Sequence, residues 1–335
     1  MLIQSIRPLG FQWETQDPFL FCAHHQDIYP EGNKFLGPNT SLEGRAIGQD
    51  FTLKDGWRMY HGSKVPGFPA HPHRGFETVT YVRTGLVDHS DSLGATGRFG
   101  NGDVQWMTAG RGVQHSEMFP LLNQEKPNPF ELFQIWLNLP KASKFVEAHY
   151  KMLWREDLPC IMESDDNGNS VELSIIAGDY KINKALAPTP DSWAANPKND
   201  VAIWAIKLSP NANWALPKAL AETNRTLYYY EGESLVIQEQ SITGGNAINL
   251  IPDKEIIIKN GSQESNLLLL QGRPINEPVA KYGPFVMNTQ SEIAQTMDDY
   301  QRTQFGGWPW DSHERVNDKE KGRFAKYADG TEDIR

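Results

Sequence analysis

His71-Pro72-His73 and His115-Ser116-Glu117 each place two metal-competent side chains two residues apart. On a β-strand that spacing turns both side chains toward one face. The flanking residues read as strand: Glu77-Thr-Val-Thr-Tyr-Val follows the first pair and Asp103-Val-Gln-Trp-Met precedes the second, both rich in β-branched and aromatic residues. Between the pairs lie 41 residues with turn signals at Thr84-Gly85, Gly94, Gly97 and Asn101-Gly102. That is room for three or four strands, which return the second pair to the side of the first. One H-x-H in a strand is ordinarily surface or core decoration. Two such pairs in one small closed barrel converge in its interior as a three-histidine, one-carboxylate metal site. Neutral imidazole suits Zn, Fe, Cu or Ni, and this donor set leaves two positions open on an octahedral metal such as Fe(II).

The rest of the chain is read against that constraint. At 335 residues, with 39% hydrophobic and 22% charged residues, it has the size of two globular domains. Eight of the nine histidines fall within the first 149 residues and only His313 comes later, so the second half has no histidine pair for a metal. That half is still β-rich: Val171-Glu-Leu-Ser-Ile-Ile, Val201-Ala-Ile-Trp-Ala-Ile, Leu227-Tyr-Tyr-Tyr, Glu255-Ile-Ile-Ile and Asn266-Leu-Leu-Leu-Leu are separated by turn residues, and Asn260-Gly261 reads as a tight hairpin. The expected fold is all-β: a metal-binding barrel over 1–150, then a degenerate one over 151–335, with the boundary near Tyr150 to Asp157. One helix is expected late, where Thr289-Gln-Ser-Glu292 forms a capping box, Ile293, Met297 and Tyr300 make an apolar stripe, and Gly306 or Gly307 can stop it. Residues after Trp310 are polar and expected to be the least ordered.

Composition excludes several classes. A net charge of −10 repels a polyanionic backbone, and the basic tail residues Lys319, Lys321, Arg323 and Lys326 are interleaved with acids, so direct nucleic-acid binding is not expected. No apolar run approaches a membrane span and the first residues lack a leader pattern, which points to the cytoplasm. Cys22 and Cys160 stand outside any C-x-x-C and read as reduced, inert thiols. Nucleophile-elbow, phosphate-loop and H-E-x-x-H motifs are missing, so chemistry would run through the metal.

The runs Gly67-Phe-Pro-Ala-His-Pro-His-Arg-Gly-Phe-Glu-Thr-Val-Thr-Tyr and Gly102-Asp-Val-Gln-Trp-Met-Thr-Ala-Gly-Arg-Gly-Val-Gln-His-Ser-Glu resemble pirin, a family of the cupin superfamily. The resemblance continues through Gln134-Ile-Trp-Leu-Asn-Leu-Pro, Gly272-Arg-Pro-Ile-Asn-Glu-Pro-Val and Tyr282-Gly-Pro-Phe-Val-Met-Asn-Thr, to about Gly307. It implies two tandem jelly-roll cupin barrels with the C-terminal helix packing back on the first, and His71, His73, His115 and Glu117 as metal ligands. Against the general cupin pattern, Thr108 stands where a proline is usual, His115 comes two residues late, and Glu117 supplies the fourth ligand. Glu77 has the parity of a ligand, but Gly75 can bend the strand and break that parity, so Glu77 reads as structural.

The resemblance further implies an oxidoreductase of the quercetin 2,3-dioxygenase type, in which a flavonol or similar aromatic enol chelates the metal before O₂ attacks, with Glu117 accepting the hydroxyl proton. It favours one Fe(II), with Zn, Ni, Cu and Mn as alternatives. The competing reading is a non-catalytic, iron-dependent redox sensor that acts through a protein partner. A monomer is expected. Of the strand residues near the site (Phe76, Trp106, Met107, Phe133, Gln134 and Trp136), Gln134, Trp106 and Phe133 are the pocket candidates. Of the other histidines, His24-His25 read as a hairpin loop and not as ligands, His61 and His89 sit beside turns, and His89 could orient a ligand imidazole with Asp88, Asp91 or Glu77 as its partner.

Overall fold

A computed structural model describes residues 2–335, and the sheets and counts given are of those residues. The strand patterns yield two separate sets of β-sheets. The chain divides into two compact units, one made of 1–23, 135–138 and 156–276, the other of 24–134, 139–155 and 277–335. This differs from the division at 150/151. The amino-terminal strand Ile3–Pro8 pairs with Asn246–Leu250 of the second barrel, and the carboxy-terminal strand Phe324–Lys326 pairs with Thr96–Gly100 of the first. All nine histidines fall in the second-named unit, here called the histidine unit; the other contains none.

In the histidine unit one sheet runs Glu332–Ile334, Phe324–Lys326, Thr96–Gly100, Leu86–Asp91, Val113–Met118, Gly67–His73. The facing sheet orders His149–Leu153, Val104–Thr108, Phe76–Thr84 and Asn128–Asn138, then Phe19–Tyr29. Away from the histidines the interior is apolar, built of Tyr29, Val82, Val87, Phe99, Phe119, Phe130 and Leu132. Such a core is worth on the order of 2 kcal/mol per fully buried large side chain. In the histidine-free unit a seven-stranded sheet from Ile3–Pro8 to Cys160–Ser164 accompanies a four-stranded one. Trp204, Trp214, Leu227, Tyr229, Leu267 and Leu269 fill the unit's core.

The helix is Gln290–Thr303. Its capping box is formed, with Thr289 Oγ1 accepting from the Glu292 amide and the Glu292 carboxylate accepting from the Thr289 amide. It ends at Gln304, in the left-handed region, two residues before the expected glycines. Ile293, Met297 and Tyr300 pack on Ala280, Phe285 and Met287. Arg74 Nη1 reaches Asp299 at 2.9 Å and the Tyr300 hydroxyl donates to Gln114, so the helix does return to the first barrel.

Three local expectations are corrected. His24-His25 lie inside the long strand Phe19–Tyr29, not in a loop. Asn260-Gly261 is not a two-residue hairpin: neither residue has positive φ, the next strand belongs to the other sheet, and Asn260 Nδ2 donates to Leu208, Ser209 and Gln263 carbonyls instead. Residues beyond Trp310 are ordered by a buried anchor. Arg98, paired with Asp88 at 2.7 Å, donates to the carbonyls of Asn317, Asp318 and Lys321. Cys22 is buried, Cys160 exposed, and neither forms a disulfide. No helix among the described residues is long and apolar enough to cross a membrane.

Candidate metal centre

The two histidine-bearing strands lie side by side. Gly67–His73 pairs antiparallel with Val113–Met118, setting His71 directly opposite His115, and an irregularity between Phe68 and His71 adjusts the register. One ring nitrogen from each of His71, His73 and His115 falls within 4.8 Å of the others. Ring centroids are 4.5–4.9 Å apart. Glu117 Oε2 is 4.0 Å from His115 Nε2. The four residues singled out by spacing are thus brought together.

The surroundings leave the imidazoles available as donors. His71 Nδ1–H donates to the Pro69 carbonyl at 2.8 Å, which fixes that ring and leaves Nε2 with its lone pair. His115 is fully buried, and neither of its ring nitrogens has a hydrogen-bond partner. Buried polar atoms are normally satisfied, so this orphaned pair beside two further imidazoles fits a cation that the ring would ligate. Burial lowers the His71 pKa to about 4 and holds His73 and His115 well below the usual range, with neighbouring imidazoles adding to the effect. All three are neutral at physiological pH, the form that binds metal. The sequence-expected cupin fold therefore carries a histidine cluster able to bind a metal ion.

Glu117 is held by both oxygens. Thr80 Oγ1 donates to Oε1 at 2.8 Å and Gln134 Nε2 donates to Oε2 at 2.7 Å. Burial raises the carboxyl pKa, while these two hydrogen bonds and nearby His89 oppose the rise. Gln134, expected as a pocket residue, is thus beside the cluster with its amide anchored to Glu117. Trp106 and Phe133 are not at the cluster, which corrects that part of the pocket expectation. Thr80 faces Glu117, so its neighbours Val79 and Tyr81 point to the other side of the sheet. Trp106 pairs with Val79 in register and donates to Glu77, while Phe133 stacks on His24 and Tyr81.

Glu77 lies on that same far side, accepting from Thr108 Oγ1 at 2.7 Å as well as from Trp106. Gly75, at φ +85°, breaks the alternation, so Phe76 packs against His73 and Glu77 turns away. His89 is buried within the strand Leu86–Asp91, not beside a turn. It bonds Asp91 at 3.1 Å, stacks on Tyr150, and sits opposite Glu117 in register. His61 Nδ1–H donates to the Gly48 carbonyl, the backbone role expected of it. Two interior residues escaped the sequence reading, Thr80 and Gln105. Gln105 is opposite Thr80, fully buried, with neither amide atom partnered. The signal for both was polarity at alternating positions of apolar strands.

A two-barrel cupin with a buried three-imidazole cluster in one barrel is the class that this fold and site define. The pirin family's model matches residues 8–137, and that of the pirin C-terminal cupin domain matches residues 203–306. A pirin-like protein of Solanum lycopersicum is 39% identical over 245 residues, covering 71% of this chain and 77% of the relative. A Pseudomonas aeruginosa protein, provisionally named quercetin 2,3-dioxygenase, is 34% identical over 239 residues, covering 71% and 79%. Among solved structures, a quercetin 2,3-dioxygenase from Acinetobacter baumannii superposes with a TM-score of 0.69 at 28% identity, covering 91% of this chain and 98% of that one. The chain belongs to the pirin family.

Proposed function

We propose that this protein is a metal-dependent dioxygenase of the quercetin 2,3-dioxygenase type, acting on a flavonol or similar aromatic enol. The observation that carries the reading is the buried, unpartnered His115 ring among two further neutral imidazoles, beside a carboxylate held at both oxygens. His71, His73, His115 and Glu117 would hold one divalent metal, Fe(II) in our reading, which when bound supplies Lewis acidity and a template for substrate and O₂. Glu117 accepts the enol hydroxyl proton at a carboxylate oxygen as the substrate enters. Its elevated affinity for protons in a buried setting suits it to that transfer. Thr80 and Gln134 keep the carboxylate oriented through the exchange. Gln105, buried opposite Thr80 with neither amide atom partnered, would hydrogen-bond the substrate's ring oxygens in this reading. The quercetin dioxygenase names of the Acinetobacter and Pseudomonas relatives support the substrate class.

The test is elemental analysis of protein purified without a histidine tag, followed by O₂ uptake with quercetin. About one metal per chain is expected, with much less in His71→Ala and His115→Ala. Two tightly held equivalents would break the one-site reading. Metal-loaded protein that consumes no O₂ with flavonols would overturn the enzymatic one in favour of a redox-responsive regulator.

A further inference from the structure

The histidine-free barrel has an unusual interior of its own. Along Asn224–Glu231, Leu227 and Tyr229 point into the core; along Ser265–Gly272, Leu267 and Leu269 do; along Ala202–Leu208, Ala202, Trp204 and Ile206 do. By the two-residue period, Arg225 and Gln271 share that interior face. The register places them in one row across three strands, Arg225 opposite Gln271 and Gln271 opposite Ala202. Its third member is the smallest side chain of the row.

Arg225 is 1% exposed and Gln271 4%. Neither Nε nor Nη1 of Arg225 has a hydrogen-bond partner among the described residues, and neither has Gln271 Oε1. The Gln271 amide is oriented by its other end, since Nε2 donates to the Asp200 carbonyl. Asp200 is the acidic group whose charge reaches Arg225, but its carboxylate already accepts from the Leu220 amide and the Thr223 hydroxyl. Buried charges in folded proteins are paired, and here two of the three guanidinium nitrogens are not. The polypeptide leaves this one open. Burial accordingly lowers the Arg225 pKa, to about 10, with Asp200 partly offsetting the effect.

We infer that Arg225 and Gln271 form a second ligand site, in the histidine-free barrel, for a small monocarboxylate bearing an adjacent hydroxyl. A planar carboxylate matches the guanidinium fork. With Asp200 already near the guanidinium, a monoanion adds less uncompensated charge than a phosphate dianion does. The oriented Gln271 Oε1 needs a donor, which a 2-hydroxyl supplies, and the next residues on the same face, Leu227 and Leu269, are apolar, as the hydrocarbon part of a small acid is.

Full-length protein should be titrated by calorimetry and thermal shift with lactate and with propionate, chloride serving as the control at equal ionic strength. Saturable binding is expected, with lactate preferred over propionate. Arg225→Met should weaken it at least tenfold, and Gln271→Leu should abolish the preference while leaving propionate binding. Should Arg225→Met not fold, Arg225→Lys keeps the charge without the fork and should weaken lactate several-fold. Because a carboxylate could also ligate a metal, the titration is repeated on His115→Ala, where binding should be unchanged. Absence of saturable binding, equal affinity in the Arg225 variants, or loss in His115→Ala would overturn the assignment.

Discussion

Gly75 decides which face of its strand carries Glu77. A Cβ at that position would meet the Val286 carbonyl oxygen at 2.0 Å, and φ is +85°, so only glycine fits. Gly75→Ala should cost about 2 kcal/mol or more in urea unfolding and reduce bound metal by displacing His73. A variant of parental stability and metal content would show that the kink is not imposed by this contact. The candidate ligands could be picked out because period-two spacing survives within each short strand. Trp106 and Phe133 were misplaced because their strands, Val104–Thr108 and Asn128–Asn138, are apolar on both faces, so alternation alone does not say which set points inward, and Thr80 was passed over because a threonine in a strand is commonplace. At Glu117 a neutral amide keeps the shape but not the proton affinity, so Glu117→Gln should lower turnover with quercetin by ~10² or more. Retained metal with unchanged turnover would remove the base role. His25 supplies a pH dependence away from the metal. It is buried, donates from Nδ1 to the Tyr60 hydroxyl, which donates to Asp27, and burial lowers its pKa to about 3. Its folded pKa lies below the unfolded value of about 6.5, so the stability it confers is present above pH 6.5 and lost as pH falls toward 3. His25→Gln should flatten the stability–pH curve in that window by about one proton. An unchanged slope would mean that His25 is already protonated in the fold.

Among the elements, the helix was the easiest to locate and the tail the hardest. The helix announces itself by a capping box and an apolar stripe, both local. Thr289→Ala should cost about 1 kcal/mol in chemical denaturation, and no cost would show that Glu292 alone caps the end. The tail is polar and gives no periodic signal, because its order comes from backbone carbonyls offered to a side chain more than 200 residues away: Arg98 Nη2 donates to the Asn317 carbonyl and Arg98 Nε to Asp88. Such pairings leave no trace in the tail's own residue types. Arg98→Met leaves Asp88 buried without its partner. It should destabilise the protein by roughly 3–5 kcal/mol and open the segment after Trp310 to proteases. Unchanged protease resistance would mean that the strand pairing alone holds it. The Asn260-Gly261 misreading has the same origin, an asparagine amide used over a distance where a local turn was expected.

For the whole molecule, the count of two barrels was visible in the distribution of strands, and their asymmetry in that of histidines. What could not be seen was that each unit takes a terminal segment from the far end of the chain, since a strand's partner is not written in its residues. A fragment ending at Glu156 contains all four candidate ligands but lacks 277–335, which supply the helix and the strand Phe324–Lys326 to the histidine unit. It should be insoluble or strongly destabilised. A soluble fragment with full metal content and the parent's thermal midpoint would show that those segments are dispensable. The same exchange governs the order in which a ribosome can deliver a finished structure. The strand Ile3–Pro8 is made long before its partner Asn246–Leu250, and the histidine barrel, whose four candidate ligands are all made by residue 117, takes a further strand that starts only at Phe324. Neither barrel completes its sheets in the order its residues are made: the candidate ligands of the histidine barrel are made well before a strand of the very sheet that carries them.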